Sequence, residues 1–226
     1  MLVSPLLFES YSRAIRLDTE FVEAYYLRGL LHAKVEEFDK ALQDQNRVLE
    51  IDLENARAFT ARGVVRSALG ESQGALDDLD KGCTLAPQSA EAFYHRGVVR
   101  AEWEIVSEAL VDGKRALELD SDLVVAYLAI GDVYASTGDH WQAIDNYDRA
   151  IELDPQNVRA YDARGQARVA LREFDRAIAD YSEVLDLDAG RAMTLASRGA
   201  AYEKLGEFEQ AILDLDRALA LDPGLA

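Results

Sequence analysis

Glycine recurs at Gly29, Gly63, Gly97, Gly131, Gly165 and Gly199, and every interval is 34 residues. Alanine follows each by twelve positions, at Ala41, Ala75, Ala109, Ala143, Ala177 and Ala211. Four positions before each glycine stands a large apolar residue: Tyr25, Phe59, Phe93, Tyr127, Tyr161 or Leu195. The three registers stay in phase through six copies. A fixed period of this length means stacked supersecondary units, each too small to bury a core alone.

Each unit reads as two helices. In the fourth copy, Val124 to Thr137 carries apolar residues at helical spacing, Gly138 and Asp139 break it, and Trp141 to Asp154 forms a second amphipathic run before Pro155. Pro87 and Pro223 repeat that stop. The spacing predicts first helices starting near residues 22, 56, 90, 124, 158 and 192, and second helices near 39, 73, 107, 141, 175 and 209. The matched glycine and alanine let two helices approach closely, because neither side chain holds the backbones apart. A large residue at either place should overpack the contact by ~1–3 kcal/mol.

The segment Ala143-Ile144-Asp145-Asn146-Tyr147-Asp148-Arg149-Ala150-Ile151-Glu152-Leu153-Asp154-Pro155 resembles the second half of a tetratricopeptide repeat. Period, glycine, alanines and closing proline all match, and the resemblance runs from residue 5 to residue 223. It implies an all-α fold, a right-handed superhelical solenoid of antiparallel helix hairpins whose first helices line a concave groove. It predicts one solenoid over residues 1–226, with a half repeat at 5–21 and full repeats at 22–55, 56–89, 90–123, 124–157, 158–191 and 192–225. It also implies a protein or peptide ligand in the groove, without naming that ligand, since such arrays serve many unrelated functions.

Two positions depart from the pattern. Gly113 stands where other copies carry Gln45, Leu79, Tyr147, Tyr181 and Leu215, and Gly82 replaces a small alanine. A glycine inside a helix costs ~0.5–1 kcal/mol relative to alanine, so the second and third repeats are expected to be the softest.

Motifs for chemistry are absent: there is no phosphate-binding glycine loop, nucleophile elbow or H-E-x-x-H. His32, His95 and His140 fall in different repeats without ligand spacing, so no metal or cofactor is expected. Cys83 occupies a place held elsewhere by Leu49, Leu117, Ile151, Leu185 and Leu219, and reads as a small buried hydrophobe. The formal net charge of −18 repels phosphate backbones and anionic lipid, which opposes nucleic-acid and membrane partners. A lone cysteine excludes a disulfide framework. The opening residues Met1 to Phe8 lack the basic region and cleavage site of a signal peptide, so a cytoplasmic, non-enzymatic protein is expected.

Arg28, Arg62, Arg96, Arg164 and Arg198 each precede the repeat glycine, and Asp44, Asp78, Asp112, Asp180 and Asp214 follow sixteen residues later. The fourth copy has Ile130 and Asn146, losing both charges together. The spacing predicts a salt bridge within each hairpin; a ligand-binding arginine ladder is the alternative. The first-helix face away from the hairpin partner carries Tyr26, Leu30, Val64, Tyr94, Val98, Leu128, Asp132, Asp162 and Gln166, the candidate partner-binding groove. Trp141 is a weaker candidate contact. The lysine/asparagine clamp by which some tetratricopeptide domains hold acidic chaperone tails is absent: Tyr26, Leu30, Val64 and Val98 occupy such sites. An extended segment with apolar anchors fits better.

The leading expectation is therefore an interaction scaffold. One rival is a substrate-binding arm of a larger enzyme. Another is an RNA-binding helical repeat, which the period and the acidic charge oppose. Residues 5 to 18 match only the second half of a repeat, with Ser4 placed to cap that helix and Pro5 at its first position. Ile212 and Leu219 are expected to lack the neighbour that covers Ile144 and Ile151. Two uncapped faces predict either a fragment of a longer array or copies that self-associate end to end.

Overall fold

The structure, a computed structural model, describes residues 5–225; Ser4, and with it the expected cap, lies outside them. Thirteen α-helices and no strand occur among the described residues. A half-repeat helix, α1 (Pro5–Leu17), precedes the hairpins. The first helices are α2 (Val22–Lys34), α4 (Ala56–Ala68), α6 (Ala90–Glu102), α8 (Val124–Ser136), α10 (Val158–Ala170) and α12 (Ala192–Leu205). Each is followed by its hairpin partner: α3 (Phe38–Ile51), α5 (Ser72–Leu85), α7 (Val106–Leu119), α9 (His140–Leu153), α11 (Phe174–Leu187) or α13 (Phe208–Leu221). First helices start where the pattern places them, and second helices one residue earlier.

The turns explain both boundaries. Residues 36, 70, 104, 138, 172 and 206 all take positive φ. Glycine fills three of these places and Glu36, Glu104 and Arg172 fill the others, with φ near 60°. In each turn the next amide reaches back five residues: Asp139 N–H donates to the Tyr134 carbonyl at 2.9 Å, and Glu71 N–H to that of Arg66 at 2.9 Å. This closes the first helix by satisfying a carbonyl that has no intrahelical partner. At the opposite boundary, the side chains of Asn55, Ser89 and Asn157 accept from the amides of Ala58, Ala92 and Ala160. Such caps stabilise a helix start by ~1 kcal/mol each.

The chain forms two compact units, residues 1–121 and 122–226. In the first, α2–α3, α4–α5 and α6–α7 pair as hairpins, and α1, α3 and α5 each pack on the following first helix. Ala41, Val48, Ala58, Leu79, Cys83, Ala92, Val99 and Ala116 lie in its core. In the second, α8–α9, α10–α11 and α12–α13 pair, and α9 and α11 pack on α10 and α12. Its core holds Tyr147, Tyr181, Val184 and Leu195. A single 3₁₀ turn, Pro223–Leu225, lays Leu225 against Leu185, Leu195 and Ala218.

The repeat glycines do what close approach requires. A Cβ built on Gly63 would stand 2.7 Å from Cγ of Leu79, and one on Gly165 2.7 Å from the Tyr181 ring. The glycine thus makes room for the residue sixteen positions on, which is why Gln45, Leu79, Tyr147 and Tyr181 are fully enclosed. Gly82 has a comparable reason: a Cβ there would meet Thr60 Oγ1 at 2.6 Å. It costs helix propensity but admits the threonine, so it is a packing feature as well as a weak point.

Candidate ligand groove

First helices touch across neighbouring hairpins, α2 with α4, α4 with α6, and α8 with α10, so they form the inner wall of each stack. The five arginines that precede the repeat glycines stand behind this wall. Arg62 Nε and Nη2 donate to Asp78 at 2.8 and 2.7 Å, and Arg96 does the same to Asp112 at 2.9 and 2.7 Å. Arg28, Arg164 and Arg198 pair likewise with Asp44, Asp180 and Asp214. The remaining Nη1 of each reaches sixteen residues back, into α1 for Arg28 and into the second helix of a preceding hairpin for the other four. It donates to Ser12, Asn46, Asp80, Asp148 or Ser182.

Arg66, Arg100 and Arg168 add a second cation to Asp78, Asp112 and Asp180 at 2.7–2.8 Å. An aromatic ring three residues before the arginine, in Tyr25, Phe59, Phe93 and Tyr161, lies 5.3–5.6 Å from its guanidinium. Paired carboxylates and burial balance here: the hydrogen bonds with Asp112 raise the Arg96 pKa, while desolvation pushes that of Asp180 up. These arginines hold helices together: the five that precede the repeat glycines donate from Nε, Nη1 and Nη2, whereas the Nε of Arg66 and of Arg168 is buried without a hydrogen-bond partner.

In the first unit the candidate groove residues converge. Tyr26, Leu30 and Val64 line one pocket of about 190 Å³ with Ala33, Thr60, Ala61 and Val65, and Arg57, Glu91 and His95 complete it. The Arg57 guanidinium lies 4.0 Å above the Tyr26 ring and pairs with Glu23 at 3.2 Å, and Tyr26 packs in a core cluster with Val48 and Ala58, so it forms the floor of the pocket and shows a ligand little surface. His95 Nε2 stands 3.6 Å from Glu91, and this pairing lowers the Glu91 pKa. Tyr94 and Val98 are half-buried on α6, and the Tyr94 ring leans on His95 with centroids 4.8 Å apart. Thr60, Arg57 and Glu91 were not singled out by the sequence, and His95 was weighed only as a metal ligand. Thr60 occupies the repeat position of Tyr26 and Tyr94, a signal that an apolar search passes over.

In the second unit the wall is polar. Asp132 accepts from the Tyr147 hydroxyl at 2.9 Å and pairs with Arg159, while Asp162 accepts from Thr194 at 3.0 Å and Gln166 at 2.8 Å. Leu128 is 3% exposed, packed in a core cluster with Ile144 and Tyr147, and offers a ligand little surface. Gln166 also borders a shallow pocket of about 290 Å³ with Val169, Tyr181, Ala200 and Lys204. Trp141 is exposed at the start of α9. Cys83 is buried, and desolvation pushes its thiol up to about 11, so it is protonated near neutrality. No described helix is long and apolar enough to cross a membrane.

Family models described as tetratricopeptide repeat match residues 22–55, 158–191 and 192–225, and one described as TPR repeat matches 131–171. No curated protein matches. Among solved structures, MamA protein is 27% identical, with a TM-score of 0.62 over 77% of this chain and 96% of its own. YrrB, described as a TPR protein with an unusual peptide-binding site, is 23% identical with a TM-score of 0.60, covering 83% of this chain and 97% of its own. Pseudomonas aeruginosa pilF is 19% identical with a TM-score of 0.80, covering 90% and 92%. The latter two show likeness of fold alone.

Proposed function

The chain belongs to the tetratricopeptide repeat family, and from that premise we propose that it is an interaction scaffold that holds an extended protein or peptide segment along its first helices. The observation carrying this reading is the apolar pocket between α2, α4 and α6, formed by Tyr26, Leu30, Thr60 and Val64. At about 190 Å³ it is smaller than the cavities that enclose drug-sized ligands, and it fits one large apolar side chain. Arg57 and Glu91 at its margin supply a donor and an acceptor for the backbone on either side of that anchor. Tyr94 and Val98 would extend that contact on the first-helix wall of the same unit, and Asp132, Asp162 and Gln166 are the corresponding candidates on the wall of the other unit taken by itself. A tyrosine already held by Arg57 loses little conformational entropy when a ligand arrives.

Peptides selected from a random library against the full chain should converge on sequences with one large apolar anchor. Val64→Glu should weaken them at least tenfold by charging the pocket wall, and Val111→Ser, on the exposed face of α7, should leave them unchanged. Selected peptides that bind Val64→Glu as well as the wild type would overturn the groove reading.

A further inference from the structure

Tyr147 and Tyr181 hold the same place in consecutive hairpins, and each ring packs against its repeat glycine: a Cβ on Gly131 or Gly165 would stand 2.5 or 2.7 Å from Cε1 of the ring. Both tyrosines are 2% exposed. Their hydroxyls meet different chemistry. That of Tyr147 donates at 2.9 Å to Asp132, fifteen residues before it. Fifteen residues before Tyr181 stands Gln166, so the internal carboxylate is missing from this hairpin. Gln166 uses Nε2 to donate to Asp162 at 2.8 Å, which leaves its carbonyl oxygen to offer. Desolvation and the carboxylates of Asp162 and Asp180 raise the Tyr181 pKa, so the residue stays a phenol with a proton to donate.

Tyr181 borders the hollow of about 290 Å³ between α10, α11 and α12, together with Gln166, Val169, Phe174, Ala200 and Lys204. Most of this wall is apolar, and Lys204 is its one cation. The Lys204 side chain is 59% exposed, and its contact with the adjacent Glu203, at 3.7 Å, is loose and screened by water. A phenol whose repeat counterpart holds a carboxylate, apolar walls, and an ammonium at the mouth together suit an acidic side chain that has methylenes to bury.

We propose that this hollow binds a glutamate side chain of a partner segment, whose carboxylate takes the place that Asp132 fills in the preceding hairpin. The carboxylate accepts from the Tyr181 hydroxyl and pairs with Lys204. Its methylenes lie on Val169 and Ala200, and the Gln166 carbonyl accepts a main-chain amide beside it. A hydrogen bond to an ionised acceptor, made against apolar walls, separates glutamate from glutamine. The proposal rests on reading the first-helix walls as the ligand surface, but not on the pocket between α2, α4 and α6.

The probes are peptides with free C-termini, selected from a random library against the full chain carrying Val64→Glu, which charges that other pocket. They should converge on a glutamate. Changing it to glutamine, or Lys204→Glu in the chain, should weaken binding at least tenfold, and a lysine in its place should regain affinity for the Lys204→Glu chain. Tyr181→Phe should weaken binding about fivefold, whereas Tyr147→Phe, whose hydroxyl is engaged by Asp132, should leave it unchanged. The decisive variant is Gln166→Asp. It gives Tyr181 an internal carboxylate and should weaken the peptide at least tenfold without lowering the melting temperature. Peptides without an acidic residue, peptides that bind Gln166→Asp and Tyr181→Phe as tightly as the parent chain, or a selection that yields no binder would overturn the proposal. Loss on amidation of the C-terminus, rather than on the change to glutamine, would put a terminal carboxylate in the hollow and overturn it too. If wild-type chain selects peptides that Val64→Glu abolishes, while the Val64→Glu chain selects none, the first pocket stands and this one falls.

Discussion

Gly131 faces the ring of Tyr147 so closely that a Cβ on the glycine would stand 2.5 Å from Cε1 and 2.8 Å from Cδ1. The tyrosine cannot retreat easily, because it is fully enclosed and its hydroxyl donates to Asp132 at 2.9 Å. Gly131→Ala should therefore destabilise the chain by ~1–3 kcal/mol despite alanine's better helix propensity. Gly97 is the internal control. Its opposite residue is Gly113, and an added Cβ would meet Ala109 O and Asp112 Cβ at 3.2 Å and Gly113 N at 3.5 Å. Gly97→Ala should fall within ~1 kcal/mol of neutral, as propensity offsets a slight shift. Urea melts of the two variants check the contrast; equal losses would contradict it.

The ion pairs differ in reserve. Asp78 keeps Arg66 when Arg62 is removed, whereas Asp44 receives no second arginine: its repeat counterpart is His32, bonded to Glu37 at 2.6 Å. Removing one partner of a buried pair is costly because a charge is left behind. Arg28→Ala should therefore destabilise more than Arg62→Ala, by about 1 kcal/mol or more. In a double-mutant cycle, Arg62→Ala and Asp78→Ala should be non-additive by ~0.5–3 kcal/mol. Equal single losses for Arg28 and Arg62, or strict additivity, would contradict this account.

The hairpin turns offer a gain. Glu104 takes φ of 59° where Gly70, Gly138 and Gly206 occupy the equivalent place. A side chain in this left-handed region costs ~1–2 kcal/mol, partly regained from lower chain entropy in the unfolded state. Glu104→Gly should stabilise by ~0.5–1 kcal/mol, and Gly138→Ala should destabilise by a similar amount. Thermal melts measure both.

Cys83 gives a pH signature. Its thiol rises from an ordinary 9.0 to about 11 because it is desolvated, so the native state holds the proton more tightly than the unfolded chain. That stabilisation is complete below pH 9 and is lost as pH rises towards 11, amounting to at most ~3 kcal/mol. Cys83→Val should flatten the fall in stability between these pH values relative to wild type. Identical slopes would show that the thiol does not contribute. Alkylation by iodoacetamide at pH 8 should be slow in the native protein and fast in urea.

The period made the helices and the five Arg–Asp pairs legible, since both partners recur in phase. Arg66, Arg100 and Arg168 escaped because His32, Tyr134 and Tyr202 interrupt their register, so only geometry reveals the shared carboxylate. The reach of each arginine into the preceding hairpin was hidden similarly: Ser12, Asn46, Asp80, Asp148 and Ser182 have no common residue type, only a common ability to accept. Non-glycine turns at Glu36, Glu104 and Arg172 carry no compositional mark. For the groove, helix geometry brought Tyr26, Leu30 and Val64 to one pocket but could not give the depth to which α9 and α10 bury Leu128. Periodicity assigns a face, whereas accessible area depends on the neighbours' side chains.

The backward reach of the arginines gives each stack a polarity. An arginine is anchored in the helix before its own hairpin, so the two exposed surfaces left by parting adjacent hairpins are unlike. The earlier one presents Asp80 or Ser182, small acceptors that water satisfies readily; the later one presents a guanidinium that has lost its third anchor and the apolar face around it. With force applied to its two termini, a stack of this kind should open from one preferred end, which an optical trap would read as a fixed order of intermediates; hairpins that leave in random order would contradict it.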